Sequence, residues 1–298
     1  MMEPYRVGID VGGSKIEAVL LAPEGGEITR RRVASPSRSG YGAMLDSIVH
    51  LFETVRDGIP SGASFTIGIG IPGSINGRTG LVQNANSTCL IGQPLQRDIE
   101  ARIGRRVAID NDANCFVLAE AVLGSGRGYD LVFGVIMGTG CGGGLFIEGQ
   151  VRPGPHRIAG EWGHFSVDPA GASCYCGNRG CVETKISGSG VEAAFRAAYG
   201  EELSMELITE GWRSREPRCV AIFDRFLDDF GRSLGGLISV LDPDAVVLGG
   251  GLSNIDELYT EGVDRVRKYV FHGDLRTPIL KNSLGDSAGV LGAAWIGE

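Results

Sequence analysis

Apolar and polar positions alternate along this chain in short blocks, and glycine clusters separate several of these blocks. In residues 5–21, two apolar stretches flank the polar turn at residues 11–15, and this pattern predicts a β-hairpin. A second apolar stretch at residues 131–137 enters a glycine-rich turn and leaves through residues 145–147. The pattern therefore predicts that the glycine hairpin occurs twice.

The rest of the pattern predicts alternating strands and helices, which is typical of the α/β class. The predicted strands are 65–71, 107–109 and 245–248, and the predicted helices are 41–57, 112–123, 190–199, 218–241 and 287–296. A length of 298 residues is about twice that of a common domain, and no low-complexity linker divides the chain. We expect two lobes, a smaller one from residues 1–118 with 286–298 and a larger one from residues 119–285.

Composition and charge exclude several classes of protein. Hydrophobic residues make up 43% of the chain and charged residues 21%, which is enough apolar material for a sizeable core. The formal net charge of -8 argues against a surface for nucleic acid or anionic membranes. The N-terminal residues do not form a signal peptide, and no stretch approaches the ~18 apolar residues that span a bilayer. We therefore expect a cytoplasmic protein.

Glycine is strongly enriched, with 48 residues where average usage gives about 21. Residues 8–13 have the glycine spacing of a P-loop, but Ser14 and Lys15 stand in inverted order and a strand follows. Gly138, Gly140 and Gly143 fit a dinucleotide fingerprint, but again a strand follows instead of a helix. Neither motif applies, and we interpret both hairpins as backbone cradles for phosphate oxygens. The alternative is that they only make tight turns.

The side chains around the glycines favour a phosphate-binding role. Asp10 could hold hydrated Mg²⁺, Lys15 could balance phosphate charge, and Thr139 lies in the second turn. A third glycine cluster precedes a helix that we predict from residue 254, and it could accept the face of a nucleoside. The candidate nucleotide-binding residues are Gly8, Asp10, Gly12, Gly13, Ser14, Lys15, Gly138, Thr139, Gly140, Gly142, Gly143, Gly144, Gly249, Gly250 and Gly251.

The chain has seven cysteines, and three of them fall close together after a histidine. His164, Cys174, Cys176 and Cys181 form a complete ligand set for a closed structural Zn²⁺. The alternative is a reduced thiol cluster beside an exposed histidine. We expect the other four cysteines to be small buried residues: Cys89, Cys115, Cys141 and Cys219.

Three acidic residues are candidates for work on a hydroxylated substrate. Glu161 precedes His164 by three residues and Glu183 follows Cys181 by two, so zinc would fix two carboxylates suited to sugar hydroxyls. The alternative is that both glutamates are simply solvated. Asp112 stands at a predicted strand-to-helix junction, where it could act as a general base or cap the helix. The residues alone leave both roles open.

The motifs around these candidates resemble one family. Residues 160–164 and 174–183 look like the signature of the ROK family (repressors, open reading frames, kinases). Residues 84–88, 92–94, 138–142 and 241–244 resemble its bacterial fructokinase and manno(fructo)kinase branch. The resemblance covers essentially the whole chain. It implies the two-lobed actin-like ATPase (ribonuclease H-like) fold, with ATP bound between the lobes.

The resemblance also implies roles for the candidate residues. Asp112 would take the proton from the primary hydroxyl of the sugar as this hydroxyl attacks the γ-phosphate. Asn111, Glu161, His164 and Glu183 would contact the sugar, with Gly73 and Asn86 as weaker candidates. The cofactors would be ATP, Mg²⁺ held through water by Asp10, and structural Zn²⁺, and the family is usually homodimeric.

We expect a kinase that phosphorylates the 6-hydroxyl of fructose, and to a lesser degree mannose or glucose. The alternative substrate is N-acetylglucosamine or N-acetylmannosamine, and the nine-residue spacer 165–173 is closer to other branches than to manno(fructo)kinases. A sugar-responsive regulator is the alternative from another class. Regulators of the family carry an N-terminal helix-turn-helix domain, and because the hairpin begins at Arg6 we do not expect such a domain here.

Overall fold

The computed structural model describes residues 3–297, which divide into two compact units. The first unit comprises residues 3–122, 150–159 and 286–297, and the second comprises residues 123–149 and 160–285. The boundary predicted at residue 118 differs from this division because it falls inside a helix that is unbroken over Asp112–Val122. Residues 150–159, which we predicted in the larger lobe, belong to the first unit, where Gln150–Val151 packs against that helix.

The elements of the first unit are β1 Tyr5–Val11, β2 Lys15–Leu21, β3 Glu27–Ala34, α1 Tyr41–Arg56, β4 Phe65–Ile71, β5 Ser74–Ile75, β6 Val82–Gln83, α2 Leu95–Ile103, β7 Ala108–Asn111, α3 Asp112–Val122, β10 Gln150–Val151 and α9 Ala288–Ile296. The unit is built on one mixed sheet with the strand order β3-β2-β1-β4-β7. Strands β1, β2 and β3 are antiparallel neighbours, whereas β1, β4 and β7 run parallel.

Helices cover both faces of this sheet. Helix α1 buries Met44, Ile48, Phe52 and Val55, whose helical spacing gives it one apolar face toward the strands. Helix α9 packs on β1 and β4, and it comes closest to them at Gly8 and Gly68. A Cβ atom on Gly8 would lie 2.3 Å from the Val290 oxygen, and one on Gly68 would lie 1.8 Å from the Ala293 oxygen. Only glycine permits this direct contact of helix with sheet.

The second unit has its own sheet and core. Its elements are β8 Leu131–Met137, β9 Cys141–Ile147, α4 Glu183–Ile186, α5 Gly188–Tyr199, α6 Met205–Arg213, α7 Pro217–Leu241, β11 Ala245–Gly249, α8 Glu261–Tyr269 and β12 Ile279–Lys281. The strands of this unit lie in the order β9-β8-β11-β12, and the long helix α7 supplies Phe223, Phe226 and Phe230 to the apolar cluster beside them.

Both glycine hairpins are present, as β1–β2 and β8–β9, and the α/β class is confirmed. The helix predicted from residue 254 is wrong, because Gly251–Asn254 and Asp256–Tyr259 form short 3₁₀ turns and α8 begins only at Glu261. Within residues 3–297, none of the helices is both long enough and apolar enough to cross a bilayer.

Candidate active site

The first hairpin makes a tight turn at the end of β1. The Gly12 amide donates a 2.9 Å hydrogen bond to the Lys15 carbonyl oxygen, and a Cβ atom on Gly12 would lie 2.9 Å from the same oxygen. The Ser37 hydroxyl donates to the Gly13 carbonyl at 3.0 Å and anchors the turn from outside. Gly13 and Ser14 are exposed. The turn therefore presents glycine backbone to solvent, as a phosphate cradle requires.

Asp10 stands at the end of β1 in a space that two glycines leave open. A Cβ atom on Gly289 would lie 3.1 Å from Asp10 Oδ2, and one on Gly70 would lie 3.5 Å from Oδ1. Burial raises the pKa of Asp10 to about 6, Lys15 opposes this shift, and Glu17 adds to it. A carboxylate beside a charged lysine and an exposed glycine turn suits a hydrated Mg²⁺.

Sequence reasoning missed Glu17, which is buried behind this hairpin. Its side chain is 1% exposed and accepts from Arg30 Nη1 and Arg32 Nη2 at 2.8 Å each, and Lys15 Nζ lies 3.6 Å from it. The signal in the sequence was a charged residue inside the apolar strand β2, where isolated burial would be costly. Its partner strand β3 was not among the predicted strands.

The junction of β7 and α3 places Asp112 as predicted. The Asn111 side chain donates to the Gly73 carbonyl at 3.1 Å, and its Oδ1 accepts from the Ala113 amide at 2.9 Å. Asp112 Oδ1 lies 2.9 Å from that same amide. The first turn of α3 thus has the Asn111 side chain as an acceptor, so local capping does not depend on Asp112 alone. Asp110 Oδ1 accepts from the Asn114 side chain at 2.8 Å.

Gly73 is held close to a neighbouring turn. Its φ angle is 131°, a backbone conformation that favours glycine, and a Cβ atom there would lie 2.7 Å from the Gln83 oxygen and 2.9 Å from the Ala85 Cα. Asn86 follows directly and is exposed. Gly73 and Asn111 are thus in contact, whereas Asn86 lies one residue beyond the segment that packs on Gly73.

The second hairpin is tied to the start of two helices. The Gly188 amide donates to the Gly138 carbonyl at 2.8 Å, and the Ser189 hydroxyl donates to the Thr139 carbonyl at 2.6 Å. The Cys141 amide donates to Glu183 Oε2 at 2.9 Å. Glu183, predicted to bind sugar, thus directly contacts the hairpin predicted to bind phosphate.

Several predicted nucleotide-binding glycines lie inside strands and have packing roles. Gly8 lies within β1 under α9, and Gly142, Gly143 and Gly144 lie within β9. A Cβ atom on Gly143 would lie 2.8 Å from Cδ1 of Trp162, which is buried. For Gly8 and Gly143, close packing explains the lack of a side chain without any ligand.

The third glycine cluster adjoins the second hairpin. Gly249 ends β11 opposite Ile136 of β8, and Gly250 has a φ of 78°. A Cβ atom on Gly250 would lie 2.3 Å from the Met137 oxygen. Glycine at residue 250 therefore lets the chain pass directly beside the end of β8, and Gly251 after it is exposed.

The four predicted zinc ligands lie together. Their ligand atoms are all within 4.8 Å of one another, with 3.7 Å between the sulfurs of Cys176 and Cys181 and 3.6 Å from Cys174 Sγ to His164 Nδ1. Tetrahedral zinc with Zn–S of about 2.3 Å places two sulfurs about 3.8 Å apart and a sulfur and nitrogen about 3.6 Å apart. The donor set and its spacing therefore fit Zn²⁺.

The second ring nitrogen of His164, Nε2, also has a hydrogen-bond partner. It lies 3.0 Å from the Tyr175 hydroxyl, and the two rings meet edge to face with centroids 5.1 Å apart. A metal-binding histidine commonly has such a partner on its free nitrogen, because this partner fixes the ring orientation. Nδ1 is therefore the nitrogen available to the metal.

The two predicted sugar-binding carboxylates are attached to this cluster. Glu161 accepts the His164 amide on its carbonyl oxygen at 3.2 Å, at the start of the turn Trp162–His164. Glu183 begins α4 directly after Cys181 and Val182. Reduced hydration raises the pKa of Glu161, His164 lowers it, and the charge of Glu183 raises it. A metal at this cluster would hold both chain segments in place.

The family model described as the ROK family matches residues 6–298. The chain belongs to the ROK family. It is 40% identical over 299 aligned residues to the N-acetyl-D-glucosamine kinase of Yersinia pseudotuberculosis serotype O:1b (strain IP 31758), covering 97% of each chain. The family predicted from the motifs is confirmed.

Two solved ROK structures resemble this one along nearly the whole chain. The ROK hexokinase from Thermus thermophilus has a TM-score of 0.89 at 29% identity, covering 98% of this chain and 97% of that one. A ROK family glucokinase from Streptomyces griseus, solved with glucose and AMPPNP, has a TM-score of 0.80 at 29% identity, with 98% and 99% covered. The predicted actin-like ATPase fold is confirmed.

Proposed function

We propose that this ROK protein is an ATP- and Mg²⁺-dependent kinase that phosphorylates the 6-hydroxyl of N-acetyl-D-glucosamine. The similarity to the Yersinia kinase of that name, at 40% identity over 97% of both chains, carries this proposal. The comparisons do not support fructose as the substrate, and they favour the N-acetylhexosamine alternative from the sequence. The nine-residue spacer 165–173, which is closer to other branches of the family than to manno(fructo)kinases, was the signal in the chain against fructose.

The first unit would supply the base and part of the sugar contacts. Asp112 accepts the proton of the attacking hydroxyl, and Asn111 orients a neighbouring hydroxyl. The bond from Asn111 to the Gly73 carbonyl supports this assignment, because it fixes the amide next to the base. Gly73 and Asn86 border the same sugar on its other side.

The second unit would supply the remaining sugar contacts. Glu161 and Glu183 accept hydrogen bonds from ring hydroxyls. His164 would contact the sugar through Nε2, where a sugar hydroxyl would take the place of the Tyr175 hydroxyl. Zn²⁺ at His164, Cys174, Cys176 and Cys181 supplies a structural cross-link. These metal ligands restrain the positions of Glu161 and Glu183, because each glutamate lies within three residues of a ligand along the chain.

The nucleotide would be held by the glycine hairpins. Asp10 holds Mg²⁺ through water, and Lys15 faces phosphate oxygens. Mg²⁺ supplies neutralisation of charge on the transferring phosphoryl group. Gly12, Gly13 and Ser14 contribute backbone amides from the first turn, with Gly138, Thr139 and Gly140 from the second. Gly250 and Gly251 lie against the nucleoside.

A coupled assay of ADP release tests the proposal. The sugars are N-acetylglucosamine, N-acetylmannosamine, fructose, mannose and glucose at matched concentrations. We expect kcat/KM for N-acetylglucosamine to exceed that for fructose by at least about tenfold, because a site that hydrogen-bonds one sugar rejects an analogue that leaves its buried polar groups unpaired. A preference for fructose would restore the substrate first expected. Failure to turn over any sugar would reject the kinase assignment itself.

A further inference from the structure

Glu17 lies in the middle of a charged row that crosses the first hairpin. The strand register places Asp10 opposite Glu17 and Glu17 opposite Arg32. Directly opposite residues on neighbouring strands carry their side chains on the same face of a sheet. One face of β1, β2 and β3 therefore carries a carboxylate, a second carboxylate and a guanidinium side by side.

The buried carboxylate of Glu17 holds three cations around it. Arg30 and Arg32 donate to its two oxygens at 2.8 Å, and the Lys15 ammonium lies 3.6 Å away. Both arginines and hydrogen bonding lower the pKa of Glu17 against the effect of burial, so it is charged at neutral pH. The Lys15 side chain is 34% exposed. Glu17 thus fixes this ammonium from behind and leaves it accessible to an anion from solvent.

The same cluster reaches the last helix. Arg30 Nη1, which bonds Glu17, also donates to the Ser287 hydroxyl at 2.8 Å. Ser287 directly precedes α9, and Gly289 in its first turn is the residue whose Cβ position lies 3.1 Å from Asp10. One arginine therefore links Glu17 to the segment that packs against the Asp10 carboxylate.

We propose that Glu17 is a positioning residue for nucleotide binding, which holds Lys15 and, through Arg30, the first turn of α9 on two sides of Asp10. The inference rests on the proposed function, because that function assigns Lys15 and Asp10 to the bound Mg–nucleotide. A neutral side chain of the same shape leaves three neighbouring cations without their shared partner. These cations then repel one another, and Lys15 loses its fixed position.

Binding of Mg–ADP, measured by calorimetry without sugar, tests the inference. Glu17→Gln is expected to bind about tenfold more weakly than the unsubstituted protein, which is within the usual range for coupled charged groups. The double variant Glu17→Gln with Lys15→Met is expected to lose less affinity than the sum of the two single losses, because part of the effect of Glu17 passes through Lys15. The matched control is Glu27→Gln, which removes the exposed partner of Arg30 and leaves Glu17 intact. Its affinity should change less than about twofold.

The outcomes separate this inference from the proposed function. A folded Glu17→Gln protein whose affinity for Mg–ADP is unchanged overturns the inference. A double variant whose loss of affinity equals the sum of the two single losses also overturns it. If Glu17→Gln does not fold, Arg30→Lys replaces it, because lysine keeps the charge but cannot bond Glu17 and Ser287 in the same fork geometry. That variant is expected to bind about threefold more weakly, and unchanged affinity overturns the inference. Unsubstituted protein that does not bind Mg–ADP rejects the proposed function instead.

Discussion

The Cys141 amide donates a 2.9 Å hydrogen bond to Oε2 of Glu183, so one carboxylate joins the β8–β9 hairpin to the start of α4. The hairpin is proposed to bind phosphate, and Glu183 is proposed to bind sugar. Because both contacts use the same side chain, a substitution of Glu183 should change the KM values for both sugar and ATP.

Glu183→Ala is expected to raise KM for sugar and for ATP together, because it removes the sugar contact and the acceptor for the hairpin amide. Glu183→Gln keeps an acceptor oxygen, so its effect should fall mainly on the sugar. Initial-rate kinetics with each substrate varied in turn distinguish the two variants. An unchanged KM for ATP in the alanine variant would show that the hairpin does not need this bond.

Asp112→Asn is expected to lower kcat by at least about 10²-fold, because the amide cannot accept the proton of the sugar hydroxyl. Binding of sugar and nucleotide should change little. The matched control is Asp110→Asn, since Asp110 bonds the Asn114 side chain and the Asn111 amide. That variant should mainly lower thermal stability. Turnover near that of the unsubstituted protein in Asp112→Asn would leave Asp112 only a local role at the start of α3.

Cys176→Ser is expected to lower the zinc content, raise KM for sugar and lower Tm together, because metal binding here is coupled to the positions of Glu161 and Glu183. Elemental analysis, kinetics and thermal unfolding on one preparation check all three effects. Cys89→Ser is the matched control, as that thiol is half-buried and outside the cluster. Fully active unsubstituted protein without zinc would contradict the structural role of the metal.

Asp10 is expected to make stability depend on pH in a defined window. Its pKa in the folded protein is about 6, above the ordinary value of 3.8, so the folded state holds the proton more tightly. The tighter proton binding by Asp10 therefore adds to the free energy of unfolding. This added stability is fully present below about pH 4 and is lost as pH rises through about 6.

Asp10→Asn should therefore be more stable than the unsubstituted protein at pH 8, by up to about 3 kcal/mol, and equal to it near pH 4. Urea unfolding without Mg²⁺ and nucleotide measures the difference. Asp46→Asn is the control, because Asp46 forms an exposed ion pair with Arg102. A difference that is the same at both pH values would mean that ionisation of Asp10 has no part in it.

The features that the sequence predicted well are those that depend on neighbouring residues. The two hairpins follow from apolar stretches around glycine turns, and the four zinc ligands lie within an 18-residue span that closes locally. Helix α3 begins where predicted because the acidic and amide residues at its start mark a strand-to-helix junction. Local chemistry was sufficient in each of these cases.

Features that depend on distant residues were missed. Strand β3 was not predicted because it is largely exposed and carries three consecutive arginines, as edge strands often carry charge. Without β3, the partners of Glu17 could not be identified, and Ser287 lies 257 residues from Arg30. Likewise, Gly8 and Gly143 were assigned to nucleotide binding because only the folded chain shows which helix or ring each one accommodates.

The direct contact of α9 with the first sheet has a consequence for the order in which the protein can form during synthesis. The sheet that α9 covers is encoded almost entirely within residues 5–111, yet its covering helix is encoded by residues 288–296. The glycine surface of β1 and β4 therefore stays uncovered during synthesis until residues 288–296 have emerged from the ribosome. The second unit, whose segments all precede residue 286, has its complete sequence available earlier. The first unit, whose synthesis begins before that of the second, is thus the one whose folding can be completed only after it.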